Sequence, residues 1–153
     1  MGVSVAGRVL QSRRRSHQPP SSRLSQAVLE PYVLTMNAVP ARTVEVRTLE
    51  LVPGRSAEFI GLYRAEVLPL LRRWAIDVVA FGLSIEAGKA YVIRAFDNPE
   101  HRLQTEAAFY NSLEWRDGPR AAILACIERF TDVVFLLDAG TVEALRASLQ
   151  LTD

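Results

Sequence analysis

Few side chains in this sequence have the chemistry to hold or transform a ligand, and two of them are arginines. Arg47 follows Glu45 at a two-residue step, so in an extended strand both would project from one face. A guanidinium there can clamp a carboxylate through two parallel N–H bonds. It can equally pair across strands, with Glu128, Arg129 and Asp132 as the charged candidates for the Glu45–Arg47 pair. The cross-strand reading is preferred. Arg94 interrupts the otherwise apolar run Tyr91–Phe96. A charge in such a segment must be paired or must face a cavity, and both options stand at this point.

The other candidates are weaker. His17 lies in an irregular leader, and His101 falls one turn into an expected helix, where a solvated position outweighs a general base. Cys126 sits in the apolar run Ala121–Ile127 and reads as a small buried hydrophobe. One cysteine excludes an internal disulfide framework and a cysteine-rich zinc site. There is no Gly-rich phosphate loop and no Gly-x-Ser-x-Gly elbow. No catalytic residue, metal site or cofactor is therefore expected. Tyr63, Trp74, Phe81, Phe96, Tyr110 and Trp115, with Arg47 and Arg94, are the candidate lining of an apolar pocket, although aromatics at helical spacing are more often core.

The elements that would position these residues follow from periodicity. Thr43 to Leu51 alternates as a strand, with Val44, Val46 and Thr48 opposite Glu45, Arg47, Leu49 and Leu51. After Pro53-Gly54, with Ser56 as N-cap, the spacing of Phe59, Tyr63, Val67, Leu71 and Trp74 predicts an amphipathic helix, kinked at Pro69. Ile76–Ile85 and Tyr91–Phe96 form a hairpin, Val78 and Ala80 pointing one way and Val79, Phe81, Leu83 and Ile85 the other. Asn98-Pro99-Glu100 opens a second helix with Leu103, Ala107 and Tyr110 on one face. A short helical piece interrupted at Gly118-Pro119 follows, then a strand over Ile127–Leu137 and a small helix capped by Thr141. The order β-α-β-β-α-β specifies an α+β, ferredoxin-like antiparallel four-stranded sheet with both long helices on one face.

The chain has 153 residues, 49% of them hydrophobic, with a mean hydropathy of +0.09, enough for one domain with a short appendage. Residues 1–41 carry net +4 and residues 42–153 net −3. The domain over 42–138, with a helical tail at 139–153, thus lacks the basic stripe that nucleic-acid binding needs. No run approaches the ~18 apolar residues of a membrane span. Residues 1–41 read as a disordered Arg-rich leader with three explanations: a transit peptide, a basic tail, or a translation start that really lies at Met36. The third is preferred. A cytoplasmic location is expected, or a mitochondrial one if the leader is a genuine transit peptide.

Helices on one side cannot cover a sheet whose middle strands are apolar on both faces. About five such side chains left wet would forgo roughly 8–15 kcal/mol. A second copy packed sheet against sheet is the expected cover, the tail helix being too short to shield the sheet alone.

Glu45-Val-Arg47-Thr48-Leu-Glu-Leu51-Val-Pro53-Gly54 resembles the opening signature of the NIPSNAP family. Leu68-Pro69-Leu70, Gly88, Asp97…Arg102 and Glu114-Trp115 fit the same pattern across residues 42–138. Ala75, where the family often has Gly, and Val92 and Arg94, where a His and an aromatic are common, depart from it at positions where a ligand would lie. The resemblance implies the dimeric α/β-barrel superfamily, with two ferredoxin-like halves face to face and a pocket between sheet and helices in each. Two function classes follow. One is a non-catalytic homodimeric module holding a small hydrophobic ligand. The other is a cofactor-independent monooxygenase- or cyclase-like enzyme acting on a small apolar or aromatic substrate. An unpaired Arg94 would favour the enzyme, a salt-bridged one the module.

Overall fold

The computed structural model describes residues 40–149. The leader, with His17 and Met36, and residues 150–153 lie outside the described residues. Strands β1 (Ala41–Leu51), β2 (Asp77–Leu83), β3 (Lys89–Phe96) and β4 (Ile127–Asp138) form one antiparallel sheet in the order β2-β3-β1-β4. That order, with helical crossovers after β1 and β3, is the expected ferredoxin-like α+β fold. Register settles the faces. Glu45 stands opposite Arg94 and Val134, and Arg47 opposite Val92 and Asp132, so these side chains share the helix-covered side with Leu49 and Leu51.

The first crossover is continuous but not uniformly α. Helix α1 (Ser56–Leu62) passes through a π-helical turn (Tyr63–Val67) into α2 (Leu68–Arg73). Just ahead of Pro69, at which the sequence predicts a kink, the backbone widens: the Leu68 N–H reaches back five residues to the Tyr63 carbonyl. This wider turn receives a ring that cannot donate and would crowd the carbonyl four residues earlier. Ser56 does not cap the helix; Arg55 holds that position without a side-chain hydrogen bond.

At the far end, the Ile76 N–H bonds the Leu71 carbonyl and the Ala75 N–H bonds the Arg72 carbonyl, with Ala75 at φ +53°. The helix thus closes in a Schellman motif whose left-handed position normally takes glycine. Ala75 is exposed and does not line the cavity described below.

Three sequence expectations change in the rest of the chain. A β-bulge between Val78 and Ala80 shifts the register of β2. It puts Val79 and Ala80 together in the outer core while Val78 and Phe81 pack with the helices, so strict alternation fails. In helix α3 (Pro99–Asn111), capped by Asn98, Leu103 is exposed and Phe109 is buried. Of the expected Leu103–Ala107–Tyr110 stripe, Ala107 and Tyr110 do turn inward, beside Arg102, Glu106 and Phe109, and Leu103 does not. After the short helices α4 (Leu113–Arg116) and α5 (Arg120–Leu124), β4 runs directly into α6 (Ala139–Leu149). Asp138, not Thr141, caps α6: it accepts the Thr141 N–H at 2.8 Å and the Thr141 hydroxyl. Between α4 and α5, Gly118 is required because a Cβ there would sit 2.2 Å from the Glu114 carbonyl oxygen.

Helix α6 packs Val142, Leu145 and Leu149 onto the outer sheet face, against Val44, Val79, Ala80, Ile93 and Ala95. Arg146 secures it, donating to the Val78 carbonyl at the bulge (3.0 Å) and to Asp77 (2.8 Å). On β4, however, Val133 stays 57% and Phe135 41% exposed on that same face.

Ala75→Gly should raise stability by about 1 kcal/mol, because it removes a Cβ from a left-handed residue. Urea unfolding reads this as a higher midpoint at constant slope; a lower midpoint would contradict the assigned helix end.

Candidate functional site

Between the sheet and the helices lies a cavity of about 560 Å³, within the usual range for ligand pockets. The first crossover contributes Phe59, Tyr63, Val67 and Leu71 to its wall, at the spacing of one helix face. Trp115, Ile123 and Leu124 from α4 and α5 close another side. The sheet provides Leu49, Val92, Ile127 and Phe130 together with the charged groups Arg47, Arg94 and Asp132.

Those charges belong to one buried lattice. Glu45, 0% exposed, receives Arg94 from the neighbouring strand and the Arg102 Nε from α3 at 2.6 Å. Arg94, 2% exposed, also contacts Glu106 Oε1 at 2.5 Å and donates to the Tyr110 hydroxyl at 3.0 Å. Arg47 grips both oxygens of Asp132 at 2.7 Å and donates to the same Tyr110 oxygen at 2.8 Å. Arg102 reaches Glu106 at 3.0 Å. Three guanidiniums thus meet three carboxylates around one phenol. Burial raises the cost of ionising Glu45, yet the adjacent Arg94 and the bonds from Arg94 and Arg102 bring its carboxyl below the ordinary range. Glu106 goes the other way: burial, with Glu45 alongside, outweighs Arg94 and holds it above that range.

Of the sequence candidates, Arg47, Arg94, Tyr63, Tyr110 and Trp115 line the cavity, and Trp74, Phe81 and Phe96 do not. Trp74 donates its indole N–H to Glu114 at 2.6 Å and packs edge-on against Phe109. Phe81 lies behind Tyr63, ring centroids 4.8 Å apart, and Phe96 is buried beside Arg94. His101 sits outside the cavity and accepts the Asp97 N–H at 3.2 Å. Cys126 is buried, and that burial pushes its thiol up. Among the described residues no group of His, Cys, Asp and Glu could hold a metal, and no helix is long and apolar enough to cross a membrane.

Sequence reasoning missed Arg102 and Glu106 as site residues. Their signal was present: Arg102, Glu106 and Tyr110 recur every four residues, a polar stripe on one face of α3. It gains meaning only beside a strand face bearing Glu45, Arg47 and Arg94.

Glu45→Gln should cost about 3 kcal/mol in chemical denaturation, because it leaves buried guanidiniums undercompensated. Glu50→Gln, which breaks the exposed pair with Arg129, should leave the midpoint unchanged; equal effects would refute the lattice. In a carbon-13 carboxyl titration Glu106 should protonate above, and Glu45 below, the ordinary glutamate value. Glu45 therefore supports folding above that value and loses its contribution as pH falls through its lower folded value. Glu106 has the opposite sign, adding stability as it takes up its proton. A reversed order would refute the assignment.

No protein-family model and no curated protein matches the chain. Solved structures do. An uncharacterized NIPSNAP-like domain protein from Burkholderia xenovorans aligns at 18% identity and TM-score 0.59, over 64% of this chain and 86% of that one. A second Burkholderia xenovorans NIPSNAP domain protein aligns at 19% identity and TM-score 0.57, over 63% and 95%. A NIPSNAP family protein of unknown function from Agrobacterium tumefaciens gives 18% and 0.59, over 63% and 88%. At these identities the correspondence is structural: this chain has the fold of NIPSNAP-domain proteins.

Proposed function

We propose that this protein is a homodimeric binding module that takes a small, largely apolar molecule into the cavity beneath its helices. The observation that carries this reading is the state of Arg94. It lies at the cavity floor but is bound by Glu45, Glu106 and the Tyr110 hydroxyl. An enzyme of the monooxygenase or cyclase kind would need a base or a charged group free to act on substrate. Each carboxylate at this floor, Glu45, Glu106 and Asp132, already accepts from an arginine. What faces the interior is a shaped apolar wall, which suits retention of a ligand better than its transformation.

Dimerisation is supported by the outer face. Helix α6 covers the β2–β3 side, while Val133 and Phe135 remain open beside the half-buried Val46 and Tyr91. Phe130, Val134 and Leu136 are exposed as well, on the other face of β4, so the open apolar side chains gather along this edge strand. Such a patch marks a contact surface, and a second copy brings an identical, self-complementary one.

Native mass spectrometry of protein purified from cells should find dimers carrying a small organic adduct. Val133→Asp should shift the population to monomers without unfolding them. A well-folded wild-type monomer at micromolar concentration would refute the dimer, and ligand-free protein that also refuses apolar probes would refute the binding role.

A further inference from the structure

We infer that the cavity selects neutral apolar molecules bearing a carbonyl oxygen, received by the Tyr63 hydroxyl. This rests on the binding-module reading above and specifies its ligand class.

The case begins with hydrogen-bond accounting in the cavity wall. Tyr63 is only 6% exposed, and its hydroxyl has no hydrogen-bond partner among the described residues. Buried hydroxyls are normally satisfied, so one that opens onto a cavity calls for a partner from outside the chain. Burial also pushes the phenol up, outweighing the opposing pull of Arg94 and Arg47, so it stays protonated and donates. Tyr110 points the same way. Its oxygen already accepts from both Arg47 and Arg94, which leaves its proton as the only function it can still offer. Arg94 Nε is a further donor, buried and without a partner among the described residues. The uncommitted polar groups are thus donors, while the carboxylates beside them are engaged. A complementary ligand must accept.

Charge decides between a carbonyl and a carboxylate. At the floor Arg47, Arg94 and Arg102 are matched by Glu45, Glu106 and Asp132, so no formal excess of positive charge draws an anion inward. The lining cation without an ion pair among the described residues is Arg120, an exposed side chain on α5. An anion held there would sit in water and gain little. The location of Tyr63 adds a structural reason. It opens the π-helical turn ahead of Pro69 and stacks on Phe81, so its ring is held by the same backbone feature that shapes the first crossover. Such turns recur at functional sites.

Four probes sharing one ring system separate the outcomes: naphthalene, 2-acetylnaphthalene, 2-naphthoate and 2-(aminomethyl)naphthalene, titrated against the full chain. The ketone should bind about tenfold tighter than naphthalene, the net worth of one hydrogen bond. Its carbonyl stretch should shift to lower frequency on binding. In Tyr63→Phe, which removes an oxygen that has no partner to lose, the tenfold preference and most of the frequency shift should vanish while naphthalene affinity holds. A ketone preference that survives Tyr63→Phe overturns the assignment. So does a preference for 2-naphthoate, in particular one abolished by Arg120→Gln, and so does a preference for the amine. Failure of all four probes, naphthalene included, overturns the underlying binding reading instead.

Discussion

A carboxylate with no exposure sits near the middle of the sheet, and most of the site follows from the need to neutralise it. Glu45 lies on a central strand with Arg94 beside it in register on the next. Leaving either charge buried alone would be prohibitively costly, and together they still need further partners to satisfy the remaining oxygen and N–H groups. Helix α3 brings them: Arg102 to Glu45, Glu106 to Arg94 and Tyr110 to both strand arginines. The lattice thereby sets which face of α3 turns inward and how that helix lies over the sheet. Ion pairs of this kind add little net stability relative to a well-packed apolar core; what they impose here is geometry.

That geometry divides the space under the helices. Near α3 the charges consume one another, and away from it the first crossover and the short helices α4 and α5 contribute apolar side chains, Phe59, Val67, Trp115 and Ile123 among them. The arginines line the cavity while bound to Asp132, Glu45 and Tyr110. The π-helical turn contributes from the other wall, presenting Tyr63 and Val67 on the face that continues into Leu71. A polar floor with mutually satisfied groups, an apolar wall and a few open donors is an arrangement that recognises shape first and one hydrogen-bonding atom second.

The opposite face of the sheet obeys a simpler constraint. Its apolar residues need cover, and α6 provides it over β2 and β3, fastened to the edge strand by Arg146, which donates to the Val78 carbonyl beside the bulge. The bulge and the helix belong together, since placing Val79 and Ala80 on the same side supplies the apolar surface on which Val142 rests. Coverage reaches Leu137 at the end of β4 and leaves Val133 and Phe135 open.

The order of elements, the four-stranded antiparallel sheet and the faces of β1, β3 and β4 were legible in the sequence, because a period of two and a period near four are imposed locally by backbone geometry. Asn98-Pro99 marked its helix for the same reason. The likeness to NIPSNAP domains was legible too, carried by a strand signature and confirmed as shared fold. Other features depend on what lies across a gap that periodicity does not describe. The bulge in β2 and the inward face of α3 each break the local pattern to satisfy a non-local partner, and the π turn departs from regular α-helix next to Pro69. Whether Arg94 was paired or free was open in one dimension, because Glu45 and Glu106 are 49 and 12 residues away along the chain. Only the folded sheet and its helix bring them within bonding distance, and that pairing decides what the cavity has left to offer a ligand.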